Sequence, residues 1–417
     1  MPAVARHSAG MALKVETEPA EAGFDTDRLS RIDRHFARYV DNGWLPGWQI
    51  VLSRHGQVVH SSCYGHRDIE AGLPVEHDTR WRIFSMTKPI TTVAAMMLFE
   101  EGAFDLTDPI SRWLREFSDP RVYAKGSALR PATEPATEPI RVWHLLTHTS
   151  GLTYGFHHAH PVDAMYRAQG FEWGTPPGYD LAACVGKWAA LPLAFQPGTE
   201  WNYSVSTDVL GRLVEVVSGQ SLDAFFQERI FGPLEMFETS FGVDDDRLGP
   251  LYIPEPGTRK AVRNDAFSKV GRGRPTFLSG GGGLVSTAWD YHRFTQFLLR
   301  RGELDGVRLL SPRTVDLMTA NHLPGDVDLE AYGRPLYAEM PFDGFGFGLG
   351  FSVLIDPVKA KTLSSKGEYA WGGAASTAFW VDPVERLTAM FLTQLLPSST
   401  HPIRQRLRQL VYQALVT

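Results

Sequence analysis

Apolar positions along this chain recur with two different periods. Over residues 25–41 (DTDRLSRIDRHFARYVD), Leu29, Ile32, Phe36 and Val40 fall at near-helical spacing and predict an amphipathic helix. Asp25 or Thr26 is placed to cap it and Gly43 to end it. The next stretch, GWQIVLSRHGQVVHSSCYGHRD, carries two apolar runs on either side of His55-Gly56, a hairpin signal. Near the other end FGLGFSVLIDP and STAFWVDPVERLTAMFLTQ repeat the strand pattern, with a turn at Asp382-Pro383. The last residues, HPIRQRLRQLVYQALVT, put Ile403, Leu407, Leu410 and Val411 on one side of a helix.

The middle of the chain reads differently. TTVAAMMLFEEG, VWHLLTH, DLAACVGKWAAL, STDVLGRLVEVVSG and LDAFFQERIF are mainly helical patterns joined by loops. The proline-rich repeat PATEPATEP (131–139) predicts an exposed loop or linker. Residues 154–180 hold Tyr154, Phe156, Tyr166, Phe171 and Trp173 among glycines and prolines, a long loop that either covers a site or crosses the surface. Together these patterns predict an α+β protein. One antiparallel sheet flanked by helices is built from both termini (1–80 and 280–417), around a mostly helical insertion (81–279).

Composition narrows the function classes. The chain has 417 residues, 43% hydrophobic and 21% charged, as expected of a folded globular protein. A formal charge of −6, spread along the chain, gives neither a basic footprint for nucleic acid nor a cationic face for a membrane. Two distant cysteines, Cys63 and Cys184, do not make a disulfide scaffold. The first residues lack the apolar run of a signal peptide, and no segment approaches the length of a membrane span. A cytoplasmic location is the expectation.

Three short segments carry candidate chemistry. Ser85-Met86-Thr87-Lys88 precedes a helical run, so a spacing of three sets Ser85 and Lys88 on one face at a helix N-terminus. A serine hydroxyl needs a base, and a desolvated lysine can be one or can stabilise one. Tyr203, in Trp201-Asn202-Tyr203-Ser204-Val205 before another helix, is a second base if the lysine's charge lowers its phenol pKa. Trp371-Gly372-Gly373-Ala374 lies on a predicted edge strand. Its paired glycines would let a ligand lie close to the backbone, and the N–H of Ala374 with that of Ser85 would form an oxyanion hole. Weaker candidates are set aside. His144 and His148 have zinc-helix spacing without the glutamate, and His157, His158 and His160 read as a solvated loop. The chain has no Gly-x-Ser-x-Gly, and GGGG at 280–283 lacks the lysine and hydroxyl of a phosphate loop. Neither a metal nor a cofactor is expected.

In order and spacing, SMTK, YSV and WGG resemble the serine β-lactamase-related superfamily, and within it the family VIII carboxylesterases, relatives of class C β-lactamases. EEGAFDLTDPI, HLLTHTSGL, PGTEWNYSVSTDVLGRLVEVVSG and GGGLVSTAWDYHRF agree with the resemblance, which covers about residues 25–415. It implies a β-lactamase/transpeptidase-like fold with the site between sheet and helical domain. It also implies a small-molecule ester as substrate and cleavage through an acyl-enzyme. Ser85, Lys88 and Tyr203 would do the chemistry, with Trp371, Gly372, Gly373 and Val205 around the substrate; Tyr154 and Phe156 join them if the aromatic loop covers the site. Two residues depart from the β-lactamase pattern: Val205 stands where an asparagine is usual, and Trp371 where a lysine binds the substrate carboxylate. Both changes favour neutral acyl esters over β-lactams, leaving at most weak β-lactam cleavage, and a closed, aromatic cleft favours short acyl chains. An acyltransferase on the same scaffold and a catalytically inactive binding relative are the competing readings.

Overall fold

The computed structural model describes residues 12–334 and 341–417. The N-terminal residues 1–11, part of the stretch examined for a signal peptide, lie outside the described residues.

The ends of the chain share one eight-stranded antiparallel sheet. Its order is Phe345–Phe347, Ser352–Leu354, Tyr369–Gly372, Ala378–Asp382, Leu387–Leu392, Gly47–Arg54, Gln57–Asp68 and Leu73–Pro74. The two halves join where Gln49 faces Leu392 and Leu52 faces Ala389. Gly47–Arg54 is buried throughout because both of its faces are covered. Trp48, Ile50 and Leu52 pack under the terminal helices with Phe36, Phe391 and Leu407, while Val51 joins Met390, Phe379, Phe294 and Ile90 on the other face. The turn between the first two strands puts His55 at φ 54° and Gly56 at φ 84°, the left-handed pair that a tight hairpin requires.

Three sequence expectations are corrected. The N-terminal helix is broken at Ser30 into Thr26–Leu29, capped by Asp25 accepting from Arg28 N–H, and Arg31–Asp41. The proline-rich repeat is not a loop throughout, since Arg130–Pro135 pairs with Arg121–Ser127 in an exposed ribbon. Proline is tolerated there because the outer edge of Arg130–Pro135 pairs with no other strand among the described residues. The loop 154–180 contains a helix, Pro161–Ala168, started by proline at its first position.

The segment between the sheet halves supplies the helix Thr87–Glu100, apolar on nearly all sides and almost wholly buried, and the helix Ser206–Ser218 packed against it. Their core runs without a break into the sheet residues Phe379, Val381 and Met390. The C-terminal part of Tyr369–Gly372 faces this helical layer across a cleft. Cys63 and Cys184 are free thiols. No helix among the described residues is long and apolar enough to cross a membrane.

Candidate active site

Ser85 sits in a short turn, Phe84–Met86, that runs directly into the helix beginning at Thr87. Phe84 is held at φ 43°, a strained conformation for a bulky residue, immediately before the serine. Lys88, one turn further on, is buried. Its Nζ lies 3.3 Å from Ser85 Oγ and 3.1 Å from the Tyr154 hydroxyl, and donates to the Gly281 carbonyl at 2.7 Å. Tyr203 comes from the loop before Ser206–Ser218, and its hydroxyl hydrogen-bonds with Ser85 and accepts from Trp371 Nε1 at 3.4 Å. The structure therefore brings Ser85, Lys88, Tyr203, Tyr154 and Trp371 into one cluster.

The electrostatics differ from the sequence expectation in one respect. Burial pulls the Lys88 ammonium from its ordinary 10.5 down to about 7. Tyr203 keeps some surface on the cleft, but packing around its ring pushes the phenol up rather than down. The geometry explains why the lysine does not produce a tyrosinate: Nζ lies 4.5 Å from the centre of the Tyr203 ring, over its face. The group poised to change charge near neutrality is the amine.

Asp208 escaped the sequence reading. It is buried on the tyrosine helix, accepts from Ser279 Oγ at 2.6 Å and from Gly281 N–H at 3.0 Å, and its charge favours the ammonium form of Lys88. Burial in turn raises the Asp208 carboxyl. The glycine run at 280–283 explains the approach: a Cβ on Gly281 would stand 2.5 Å from Asp208 Oδ2, and one on Gly280 would stand 2.9 Å from the Thr207 carbonyl. Gly280 and Gly281 leave room for the helix that carries Asp208. The signal was available as a lone aspartate five residues after Tyr203, but an acidic residue in the first turn of a helix reads equally well as a cap.

Above Ser85 opens a cavity of about 870 Å³. One wall is a stack of Tyr154, Phe156 and Trp173, with ring centres 4.6 and 4.8 Å apart, and Phe171 and Tyr166 behind. The aromatic loop does cover the site. The other wall is Trp371, stacked on Phe342 and edge-on to Phe347. Val205, Gly372 and Ala374 also line the cavity.

The paired glycines have a different cause from the one expected. A Cβ on Gly372 would fall 2.1 Å from an Arg404 nitrogen, and one on Gly373 would fall 2.4 Å from the Ile83 carbonyl. The protein's own atoms, not a ligand, require them, and Gly373 is not on the cavity wall. The strand is also interior to the sheet rather than at its edge. Its neighbour Ser352–Leu354 pairs only with Tyr369 and Ala370, which leaves Trp371 and Gly372 unpaired on that side.

The histidines fall into separate roles. His144 accepts from Arg141 N–H at a helix start, His158 pairs with Glu172 at the surface, and His160 caps Pro161–Ala168. His157 is the correction: it is largely enclosed rather than solvated, and its Nε2–H donates to the Tyr203 carbonyl at 2.6 Å. Its Nδ1 is buried with no hydrogen-bond partner among the described residues. One residue thus ties the aromatic loop to the tyrosine loop. His157→Phe is expected to lower kcat about tenfold, the equivalent of one hydrogen bond of ~1.4 kcal/mol, with KM nearly unchanged. Steady-state kinetics on the folded variant measure this, and a purely structural role would lower the active fraction with kcat per active site intact. Among the described residues no cluster of histidine, cysteine, aspartate or glutamate has the arrangement of a metal site.

Comparison with known proteins agrees with this geometry. The Beta-lactamase family model matches residues 32–413. An uncharacterized Mycobacterium tuberculosis protein is 38% identical over 364 residues, covering 86% of this chain and 88% of its own. Esterase EstB of Burkholderia gladioli is 29% identical, covering 95% of this chain and 98% of its own. Among solved structures, EstCE1, described as a hydrolase with promiscuous acyltransferase activity, superposes with a TM-score of 0.78 at 27% identity, covering 93% of this chain and 99% of its own. With the family model spanning most of its length, and with the sheet and flanking helices of its structural neighbours, this chain belongs to the beta-lactamase family and has the β-lactamase/transpeptidase-like fold.

Proposed function

We propose that this protein is a serine carboxylesterase that hydrolyses short-chain acyl esters through an acyl-enzyme on Ser85. At the coarser level it is a serine hydrolase or acyltransferase on the β-lactamase scaffold. The observation that carries the finer reading is a lysine amine, depressed to about 7, lying 3.3 Å from a serine hydroxyl at the floor of an aromatic cavity. Ser85 Oγ attacks the ester carbonyl carbon while its proton passes to neutral Lys88. The N–H groups of Ser85 and Ala374 hold the resulting oxyanion. When the tetrahedral centre collapses, the C–O bond to the alcohol breaks. Lys88 returns the proton to the departing alkoxide, while the Tyr203 hydroxyl, hydrogen-bonded to Ser85, stays beside the reacting atoms. Water then repeats the sequence on the acyl-enzyme and releases the acid and free Ser85.

A cavity of about 870 Å³ exceeds what a short acyl ester fills, since pockets for drug-sized ligands run from about 300 to 1,000 Å³. The surplus suits a bulky apolar alcohol, as leaving group or as an acceptor in place of water. EstCE1's described acyltransferase activity keeps that second reading open. An inactive binding relative is disfavoured because Ser85, Lys88 and Tyr203 are all present and in contact. The test is product analysis on p-nitrophenyl esters from acetate to palmitate, with and without added butanol. Short chains are expected to win and the free acid to dominate. A profile flat to palmitate rejects the short-chain reading, and butyl ester as the main product assigns the protein as a transferase.

Trp371 sets the substrate class in this reading. Its indole gives an apolar wall where β-lactamase relatives place a cation, and a charge-assisted bond to a carboxylate is roughly twice as strong as a neutral one. Trp371→Lys is expected to raise the ratio of kcat/KM for nitrocefin to that for p-nitrophenyl butyrate. Both absolute rates should fall, because the same indole donates to Tyr203. A constant or lower ratio in a folded variant removes Trp371 from substrate discrimination.

A further inference from the structure

We propose that Arg404, on the C-terminal helix Ile403–Tyr412, is a positioning residue that fixes the oxyanion-binding peptide Gly373–Ala374. The proposal rests on the acyl-enzyme reading above and adds a residue that neither the three motifs nor their spacing pointed to. Arg404 stands 30 positions after Ala374 in sequence, yet one guanidinium nitrogen donates to the Gly373 carbonyl at 3.1 Å and to the Thr377 carbonyl at 2.9 Å. These carbonyls close a tight turn in which Gly373 N–H donates to Thr377 O and Ser376 N–H to Gly373 O.

The Gly373 carbonyl and the Ala374 N–H belong to one peptide unit, which is planar and trans, so they point in opposite directions. Holding the carbonyl against Arg404 therefore aims the N–H away from it. Among the described residues no acceptor takes the Ala374 N–H. Ala374 itself lies on the cavity wall and packs in one cluster with Phe84, the residue before the nucleophile. On the other side of the strand the Ile83 carbonyl closes against Gly373. The peptide is thus gripped between the nucleophile's own turn and the guanidinium. Gly372 is the residue that makes room for that guanidinium, because any side chain there would overlap it. The glycine pair and the arginine form one device, and a donor held in place before reaction costs no reorganisation when the oxyanion forms.

Two routes are open to Arg404, and they separate experimentally. Through the peptide it would change stabilisation of the tetrahedral oxyanion at every pH. Through its charge, which acts on the Tyr203 phenol, it would move the pH profile. The experiment measures p-nitrophenyl butyrate kinetics across pH for wild type, Arg404→Ala and Arg404→Lys. Beside them it follows the ester carbonyl stretch of the Ser85 acyl-enzyme by infrared difference spectroscopy, and the mass of the acyl-enzyme. Arg404→Ala is expected to lose about tenfold to a hundredfold in kcat, less than outright removal of an oxyanion donor, which costs about 10²–10³. KM should stay within about twofold, the pH profile should keep its shape, and the carbonyl stretch should move to higher frequency. Added guanidinium ion at millimolar concentration should restore part of kcat. If Arg404→Ala does not fold, Arg404→Lys carries the test, since an ammonium cannot reproduce the planar contact on Gly372. An unchanged kcat and carbonyl frequency in a folded variant, or a loss explained by a displaced pH profile, overturns the proposal. Absence of any acyl-enzyme mass in wild type instead overturns the acyl-enzyme reading beneath it.

Discussion

Ser85→Ala is expected to abolish ester hydrolysis, lowering kcat by about 10³–10⁶-fold, the scale seen when the nucleophile of a covalent mechanism is removed. The reasoning is local. Lys88 Nζ, Tyr203 and the turn at Phe84 all converge on this one hydroxyl, and a nearby lysine without a nucleophile has nothing to deprotonate but water. The fold should survive. Ser85 Oγ meets Lys88 and Tyr203 at the cavity floor, and Lys88 keeps its bonds to Tyr154 and Gly281 when the hydroxyl is gone. Two measurements check this: the rate with p-nitrophenyl butyrate, and mass spectrometry after treatment with a fluorophosphonate. The label is expected on the peptide containing Ser85 in wild type and nowhere in the variant. A label on another serine, or wild-type turnover in Ser85→Ala, removes the central assignment.

Much of this arrangement was legible in the sequence, and the exceptions share a physical cause. The sheet strands were found because each is a short apolar run bounded by turn residues. Thus the hairpin around His55-Gly56 could be read directly. The serine and lysine were readable because one helical turn fixes their relation whatever the rest of the chain does. What could not be read were contacts between segments far apart in sequence. The charge of Asp208 acts on Lys88 beside Gly280 and Gly281, which lie some seventy positions further along the chain, and His157 reaches the Tyr203 carbonyl across 46 positions. The role assigned to Gly372 and Gly373 failed for the same reason, since the atoms that exclude a side chain there come from Arg404 and Ile83. The direction of the Tyr203 shift failed for a geometric reason. Sequence places a lysine near a tyrosine but does not say whether the charge meets the hydroxyl or the ring face.

That last distinction gives the second large effect. With the Lys88 amine at about 7 and the Tyr203 phenol held above its ordinary value, the proposed mechanism gives the first proton to Lys88 and leaves Tyr203 as the hydroxyl bonded to Ser85. The base works only as the neutral amine, so lowering the pH below 7 fills it with a proton and removes activity, while raising it above 7 leaves the rate level. The kcat/KM profile is therefore expected to rise with pH through about 7 and then flatten. Lys88→Ala should lose at least about a hundredfold and lose that limb. Tyr203→Phe should lose a similar factor while keeping the limb, because a positioned acid–base side chain contributes about 10²–10⁴. The double variant should be little worse than either single one, since the two act as a unit. Asp208 supplies a check with a sign of its own. Its charge favours the ammonium of Lys88, so Asp208→Asn should shift the rising limb to lower pH. A limb that stays in place in Asp208→Asn, or that vanishes in Tyr203→Phe rather than in Lys88→Ala, would transfer the role of first base from the lysine to the tyrosine.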